Sequence, residues 1–241
     1  MRGSQVDYRI EHDVMGEVKV PAERYWGAQT ECSRNNFRIG NGKEPIPEEM
    51  ITAFALMKKA AAIANHKLVP EKMTAEKLEA ISRVCDEILE GKLDGNFPLV
   101  VWQTGSGTQF NMNVNEVIAN RGNEILGKTM FHPNDDINMS QSSNDTFPTG
   151  MHIAAVMSLE ERLIPAVRSL VETLTRLEEE NAGIIKSGRT HLQDAVPIAF
   201  SQEISGWRTS LERDIDLMES SLPYLRELAL GGSPLPRATS N

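Results

Sequence analysis

Two long apolar seams constrain the fold of this 241-residue chain more than any other feature. They run over about residues 146 to 181 and about residues 198 to 225. Apolar residues recur along both with the same succession of steps, 3-4-4-3-4-3: Val156, Leu159, Leu163, Val167, Leu170, Leu174 and Leu177, then Ile204, Trp207, Leu211, Ile215, Met218, Leu222 and Leu225. This spacing predicts two helices that pack at a shallow angle in a bundle, each on the order of 40 Å long. Seams of this length need partner helices, and the chain supplies few.

The remaining sequence favours a mainly α fold. Only 5% of residues are aromatic, which suits helix-on-helix packing better than a sandwich of sheets. Residues 7–20 partly alternate around Gly16 and predict a hairpin or extended arm, whereas residues 91–107 read as a loop. Two further helices are predicted, with the apolar stripes Phe54, Met57, Ala61, Ala64 and Leu68, and Leu78, Ile81, Cys85 and Ile88.

These patterns predict a mixed amino-terminal domain over residues 1–138 and an incomplete helical bundle over residues 139–232. A change of character follows Leu230, where glycine and proline become frequent. We therefore expect residues 233–241 to form a non-homologous or disordered tail.

Charge and composition exclude several functions. The formal net charge of −9 disfavours binding to nucleic acid, so a small anion would have to be held by local donors such as Arg121 or Arg189. The five histidines lack the spacing of a zinc site, and Gly105 and Gly107 do not complete a nucleotide-binding motif. We expect no metal and no cofactor.

Cysteine usage and hydropathy point to a cytoplasmic chain. Cys32 and Cys85 lie far apart in predicted helices, which fits buried thiols in a reducing compartment better than a disulfide. The longest apolar runs, such as residues 153–157, are too short to cross a bilayer, so no membrane partner is expected.

Three polar segments at predicted helix ends could carry chemistry. They read TGSGTQFNMNVNE (104–116), HPNDDINMSQSSNDTFPTG (132–150) and SGRTHLQD (187–194). A helix N-terminus presents unpaired N–H groups and partial positive charge, so the first two segments are candidate carboxylate cradles. Ordinary glycine loops and N-caps are the alternative, and Ser143, Asn144 and Thr146 are good capping residues. Asn111, Asn113 and Asn115 have poor propensity for the helix predicted there, which favours a functional role.

Histidine is the natural proton carrier for an enzyme without metal or cofactor. His191 is the best candidate because Arg189 and Thr190 precede it in a predicted loop between the two long helices. His132 begins a His-Pro-Asn-Asp sequence that favours a tight turn, which could bind an anion or simply cap the turn.

These segments resemble the fumarase/aspartase superfamily, and class II fumarases within it. The resemblance extends to about Gly232 and includes TGSGTQFNMNVNEVIANR, HPNDDINMSQSSNDTFPTGMHIAA, GRTHLQDAVP and LALGG. It implies a mixed amino-terminal domain, a central bundle of long helices and a homotetramer. The implied reaction is the reversible hydration of fumarate to L-malate, a step of the tricarboxylic acid cycle, on a small dicarboxylate substrate.

The resemblance also implies roles for particular residues. His191 would be catalytic, handling a proton or activating water. A substrate carboxylate would be bound by seven residues: Ser106, Gly107, Thr108, Ser142, Ser143, Asn144 and Thr190. A second dicarboxylate site would comprise His132, Pro133, Asn134 and Asp135.

One part of the family pattern has no counterpart in this sequence. Class II fumarases carry a Gly-Ser-Ser-x-Met-Pro-x-Lys-x-Asn-Pro loop that supplies a serine base, so we expect a carboxy-terminally truncated member. An aspartase-type ammonia lyase ranks second, because aspartases usually have Gln where His191 stands. An inactive fragment, or an assembly partner of full-length chains, is the alternative of another class.

Overall fold

A computed structural model describes residues 7–13, 16–40 and 42–232, and the predicted tail over 233–241 lies outside them. The described residues are mainly helical, which confirms the predicted fold class. The helices are α1 (Ala28–Asn36), α2 (Glu48–Leu68), α3 (Ala75–Leu89), α4 (Thr108–Leu126), α5 (Ser143–Ser158), α6 (Ile164–Glu180) and α7 (Phe200–Leu225). Strands β1 (Tyr8–Asp13) and β2 (Gly16–Pro21) pair with each other, as do β3 (Ile185–Thr190) and β4 (Gln193–Ala199).

The chain forms two compact units. The first contains Met1–Ala154 and Leu228–Asn241, and the second contains Ala155–Glu227. The predicted domain boundary between residues 138 and 139 stays a prediction.

The core of the first unit lies among α2, α3 and α4. Phe54 and Phe110 are fully buried there and meet edge to face with ring centroids 4.8 Å apart. The predicted arm is the antiparallel hairpin of β1 and β2, paired from Tyr8 with Pro21 to Asp13 with Gly16.

The stripe predicted for α3 is confirmed, whereas the one for α2 is wrong at its second half. Ile81, Cys85 and Ile88 are buried, and Thr74 caps α3 by accepting a hydrogen bond from the Lys77 amide at 3.4 Å. On α2, Leu68 is 78% exposed, and Phe54 is followed on the buried face by Lys58, Ala62 and Asn65. The buried face thus includes two polar side chains outside the predicted stripe, Lys58 and Asn65, which have hydrogen-bond partners there.

The second unit is an antiparallel pair of long helices, α6 and α7, with the β3–β4 hairpin between them in sequence. Its buried apolar cluster is small and consists of Ile164, Ile215 and Leu222, and Ile204 of α7 is also buried. The predicted seam residues Leu170 and Trp207 are 48% and 53% exposed. Helical structure runs without a break from α5 to α6 through one π-helical turn, Leu159–Leu163, just before Pro165, whose ring nitrogen cannot donate a helical hydrogen bond.

Residues 185–199 are a β-hairpin, so the loop predicted around His191 is wrong. Ile185 pairs with Ala199 and Thr190 with Gln193, with a bulge between Ser187 and Arg189. The two-residue turn consists of His191 and Leu192, with φ angles of 48° and 62°. Such turns favour Asn and Gly, and neither is present here, so nothing in the residue pattern signals a hairpin.

Among the described residues, no helix has the length and apolarity that a membrane span requires.

Candidate functional site

Two helices begin at the same place in the first unit. Thr108 is the first residue of α4 and Ser143 the first of α5, and their hydroxyl oxygens lie 2.9 Å apart in a hydrogen bond. The Ser106 hydroxyl extends this chain to Thr108 at 3.1 Å. The side chains are accessible, and helix N-termini present backbone N–H groups and partial positive charge. We call Ser106, Gly107, Thr108, Ser142, Ser143 and Asn144 the hydroxyl cradle.

Gly107 makes the close approach of the two helices possible. Its φ of +68° is in the left-handed region, and a Cβ there would lie 2.0 Å from Cγ of Phe147. Any larger residue would therefore push the start of α4 away from α5. The packing of the two helices therefore explains why residue 107 is glycine, whether or not a ligand binds.

The cap in this segment is Ser142, whereas the sequence suggested Ser143, Asn144 and Thr146 as capping residues. Its hydroxyl accepts a hydrogen bond from the Asn144 amide at 3.3 Å, and its own amide donates to Oδ1 of Asp145 at 3.0 Å. Asn144 is exposed beside it. Capping orders the first turn of α5 and so fixes where the Ser143 hydroxyl points.

A buried amide network lies one helical turn below the cradle. Oδ1 of Asn138 accepts three hydrogen bonds, from Nζ of Lys58 at 3.0 Å, Nδ2 of Asn111 at 3.1 Å and Nδ2 of Asn115 at 3.3 Å. Thr146 donates to Oδ1 of Asn111 at 3.1 Å. These contacts explain why asparagines interrupt the apolar pattern of α4.

Lys58 is a residue that sequence reasoning missed. It is 1% exposed, and Nζ also donates to Oε1 of Gln141 at 2.9 Å. Burial lowers the pKa of Lys58 from its ordinary value to about 7. Its place four residues after Phe54, on the buried face of α2, was the available signal.

The four residues of the predicted second site lie in a different part of the first unit. Pro133–Ile137 form a single π-helical turn, and Nδ1 of His132 caps it by accepting from the Asp135 amide at 3.4 Å. A cavity of about 490 Å³ adjoins this turn, and it is lined by Glu11, His12, Gly27, Gln29, Met112, Glu116, Asn120, His132, Pro133 and Asn134. Asp135 is exposed outside that lining.

Glu116 forms the buried wall of this cavity and caps another helix. Its carboxylate accepts hydrogen bonds from the amides of Gly27, Gln29 and Thr30 at 2.9 to 3.1 Å and from the Thr30 hydroxyl at 2.6 Å. Burial raises the pKa of Glu116, and these four donors oppose that rise. The cavity therefore contains a carboxylate whose oxygens already cap α1.

Of the two arginines considered as anion donors, Arg121 is already engaged. Its guanidinium donates to both carboxylate oxygens of Glu87 at 2.7 and 3.0 Å, which holds the pKa of Glu87 below its usual range. The expectation of a free donor at Arg121 is thus wrong. Arg189 is exposed, with Nη1 3.7 Å from Oδ1 of Asp194.

Thr190 and His191 belong to the second unit. Thr190 ends β3, and His191 is the first residue of the exposed two-residue turn. The backbone of that turn is left-handed at two residues other than glycine, an arrangement that costs energy and is often found at functional sites. The structure therefore brings together the cradle residues, places His132–Asp135 elsewhere in the first unit, and sets Thr190 and His191 on the hairpin.

No group of three or more His, Cys, Asp or Glu side chains is arranged to hold a metal ion in the part of the chain that the structure describes.

Comparisons with known proteins identify the class to which this fold and these loops belong. The family model described as lyase matches residues 16–236, and the chain therefore belongs to that lyase family. It is 54% identical over 232 residues to the class II fumarate hydratase of Bacillus cereus, and 55% identical over 233 residues to that of Campylobacter jejuni.

The alignments cover 95% of this chain but 49% and 50% of those relatives, so the chain spans about half their length. Among solved structures, a class II fumarase from Schistosoma mansoni superposes with a TM-score of 0.87 at 40% identity, covering 96% of this chain and 49% of that one. A fumarate lyase:delta crystallin from Brucella melitensis superposes with a TM-score of 0.85 at 39% identity. The match covers 94% of this chain and 53% of the Brucella chain.

Proposed function

We propose that this chain acts as a class II fumarate hydratase, which converts fumarate and water reversibly into L-malate. The contact that carries the proposal is the 2.9 Å hydrogen bond between the hydroxyls of Thr108 and Ser143, the first residues of two helices. Hydroxyl groups and the N-termini of two helices meet there, and helix N-termini favour the binding of a carboxylate. The likeness to curated fumarate hydratases supports this choice of dicarboxylate.

The cradle would bind a substrate carboxylate. On the hairpin of the second unit, Thr190 would be a further substrate-binding residue, and His191 would move a proton or activate water. In the malate direction a base removes the proton next to a carboxylate, which leaves an aci-carboxylate dianion, and an acid protonates the departing hydroxide. Donors already aimed at the added charge stabilise that intermediate, and the loss of one costs about 3 kcal/mol. The residues His132, Pro133, Asn134 and Asp135 would bind a second dicarboxylate beside the cavity.

We further propose that the chain assembles as a homotetramer in the cytoplasm and serves the tricarboxylic acid cycle. The half-exposed seam residues Leu170 and Trp207 support assembly, because helices with such surfaces are stabilised by partners. The same surfaces favour a second candidate function, an assembly partner that binds longer chains of the same family without turnover of its own.

Fumarate consumption, followed by ultraviolet absorbance, tests the proposal. Turnover by the purified chain that is lost in His191→Asn supports the hydratase. Fumarate binding without turnover by the folded chain favours the assembly partner, and the absence of both binding and turnover overturns the hydratase. Release of ammonia from L-aspartate would favour the aspartase-type alternative.

A further inference from the structure

Lys58 is the charged member of an otherwise neutral buried network. Oδ1 of Asn138 accepts hydrogen bonds from Nζ of Lys58 and from the side-chain amides of Asn111 and Asn115 on α4. Nδ2 of Asn138 donates to the Gln141 carbonyl oxygen at 3.0 Å. The exposed fractions of Lys58, Asn111 and Asn115 are 1%, 2% and 0%. One lysine on α2 thus holds the segment that leads into α5.

The network reaches the hydroxyl cradle through both helices. The backbone amide of Asn111 donates to the Gly107 carbonyl oxygen at 3.1 Å, so Asn111 lies one turn after the start of α4. The single proton of the Thr146 hydroxyl is shared between Oδ1 of Asn111 at 3.1 Å and the Ser142 carbonyl oxygen at 2.9 Å. The bond between Asn111 and Thr146 therefore joins α4 and α5 one turn beneath the Thr108–Ser143 contact.

Burial of a lysine at this position costs free energy that an apolar side chain would not, so its N–H groups need a role there. Methionine has a similar length and would fill the space without the several kcal/mol that burial of an ammonium costs. Lys58 donates to two different acceptors, Asn138 and Gln141, which no apolar side chain could do.

We propose that Lys58 is a positioning residue for carboxylate binding, which acts through Asn138 and Gln141 to align the first turns of α4 and α5. The inference rests on the proposed function, because the ligand of the cradle is the fumarate carboxylate. Lys58 itself lies below the cradle, where its Nζ donates to Asn138 and Gln141.

The charge on Lys58 gives this role a pH dependence. Burial lowers the pKa of Lys58 to about 7, so its charge changes near neutrality. Two titratable groups face it: Cys85 from α3, whose pKa burial raises to about 12 so that it is neutral at pH 7, and the buried carboxylate of Asp145 from α5. The partners from α4 and the loop are neutral amides. Protonated Lys58 adds positive charge beneath an anion site, so fumarate should bind more tightly below pH 7.

The test compares the full chain with Lys58→Met and with Lys59→Met. Lys59 is a matched control on the same helix, because its ammonium pairs with Asp86 at the surface, at 2.6 Å. Calorimetric titration with fumarate at pH 6 and pH 8 should show on the order of threefold tighter binding at pH 6 for the wild type and Lys59→Met. Lys58→Met should bind on the order of tenfold more weakly at pH 6 and lose this pH dependence.

Equal affinity and an equal pH profile in Lys58→Met would overturn the proposal. Lys58→Gln provides a second variant, because its neutral amide keeps N–H groups but cannot carry a charge, so the pH dependence of binding should disappear. A pH dependence unchanged in that variant would also contradict the role of Lys58.

Hydrogen exchange separates this inference from the proposed function. If the wild type fails to bind fumarate, the proposed function fails, but the positioning role can still be measured. Lys58→Met should then speed exchange of hydrogen-bonded backbone amides in the first turns of the two helices, those of Asn111 in α4 and Thr146 in α5. Faster exchange confined to α2 would show that Lys58 only stabilises its own helix, and the inference would be wrong.

Discussion

The two units differ in how much of their apolar surface they cover by themselves. In the first, α2, α3 and α4 enclose an extensive core that includes the fully buried rings of Phe54 and Phe110. In the second, α6 and α7 bury Ile164, Ile215 and Leu222 and leave Trp207 half exposed. A helical apolar pattern can thus accompany an extensive core, as in the first unit, or a surface that stays half exposed within the chain, as in the second.

The residues proposed to bind substrate and to catalyse the reaction are divided between the two units. The cradle is ordered by contacts inside the first unit, from Gly107 against Phe147 to the network around Asn138. His191 lies on a hairpin of the second unit, whose helices contribute little buried core. In the proposed function, the carboxylate-binding cradle therefore belongs to the first unit and the proposed catalytic histidine to the second.

The difference between the two cores is tested most directly by truncating one large apolar side chain in each. Phe54→Ala should lower the free energy of unfolding of the first unit by about 4 kcal/mol, because a large ring leaves a cavity in a closed core. Ile215→Ala should cost about 2 kcal/mol in the second unit, where neighbouring side chains can relax toward solvent. Urea denaturation followed by circular dichroism measures both. A larger loss for Ile215→Ala would show that the second unit is the better packed.

Gly107→Ala should destabilise the first unit by about 3 kcal/mol, because the new methyl group would overlap Phe147 and the left-handed backbone would be strained. Gly105→Ala is the matched control in the same loop, since no atom lies within 4 Å of the position that its methyl group would take and its φ is not positive. Thermal unfolding measures the pair. Similar melting temperatures for both variants would contradict the close helix approach.

The stability of the first unit should rise with pH above 7. The pKa of Lys58 is lowered to about 7 in the folded chain from an ordinary 10.5, so between these values the unfolded state holds more protons. Relative to Lys58→Met, the wild type should therefore gain about 2 kcal/mol between pH 7 and pH 8.5, with no change below pH 6. Urea titrations across this range measure the difference. A flat difference would show that Lys58 keeps its charge.

Trp207→Ser should change the free energy of unfolding by less than about 0.5 kcal/mol, because the ring is half exposed. It should instead weaken self-association, which sedimentation velocity measures. Ser210→Ala, at an exposed position on α7, is the control that should leave both properties unchanged. Loss of stability without loss of association would place Trp207 in a core rather than at an interface.

The sequence predicted the helices well, because their apolar periodicity was long and strong. The long helices begin and end within a few residues of the expected positions, and the α3 stripe is confirmed at Ile81, Cys85 and Ile88. The spacing of Lys58 from Phe54 signalled a position on the buried face of α2. Its acceptors, Asn138 and Gln141, lie 80 and 83 residues away, so local periodicity could not reveal them.

The hairpin was missed for a different reason. Its turn uses His191 and Leu192 in left-handed conformations, without the glycine or asparagine that normally marks such a turn. For the candidate site, the sequence pointed to the cradle residues, and the structure added the hydrogen bond between Thr108 and Ser143 that joins them. The roles of the cradle, of His191 and of His132–Asp135 stay predictions.

The capping of α1 by Glu116 has a consequence for the order of folding. The backbone amides of Gly27, Gln29 and Thr30 donate to the carboxylate of Glu116, which lies on α4, 86 to 89 residues further along the chain. A short helix is marginal alone, and closing so long a loop is slow, so α1 gains its cap only after α4 has docked. During synthesis, α1 must therefore leave the ribosome well before the residue that stabilises it, and it should be among the last helices to become protected.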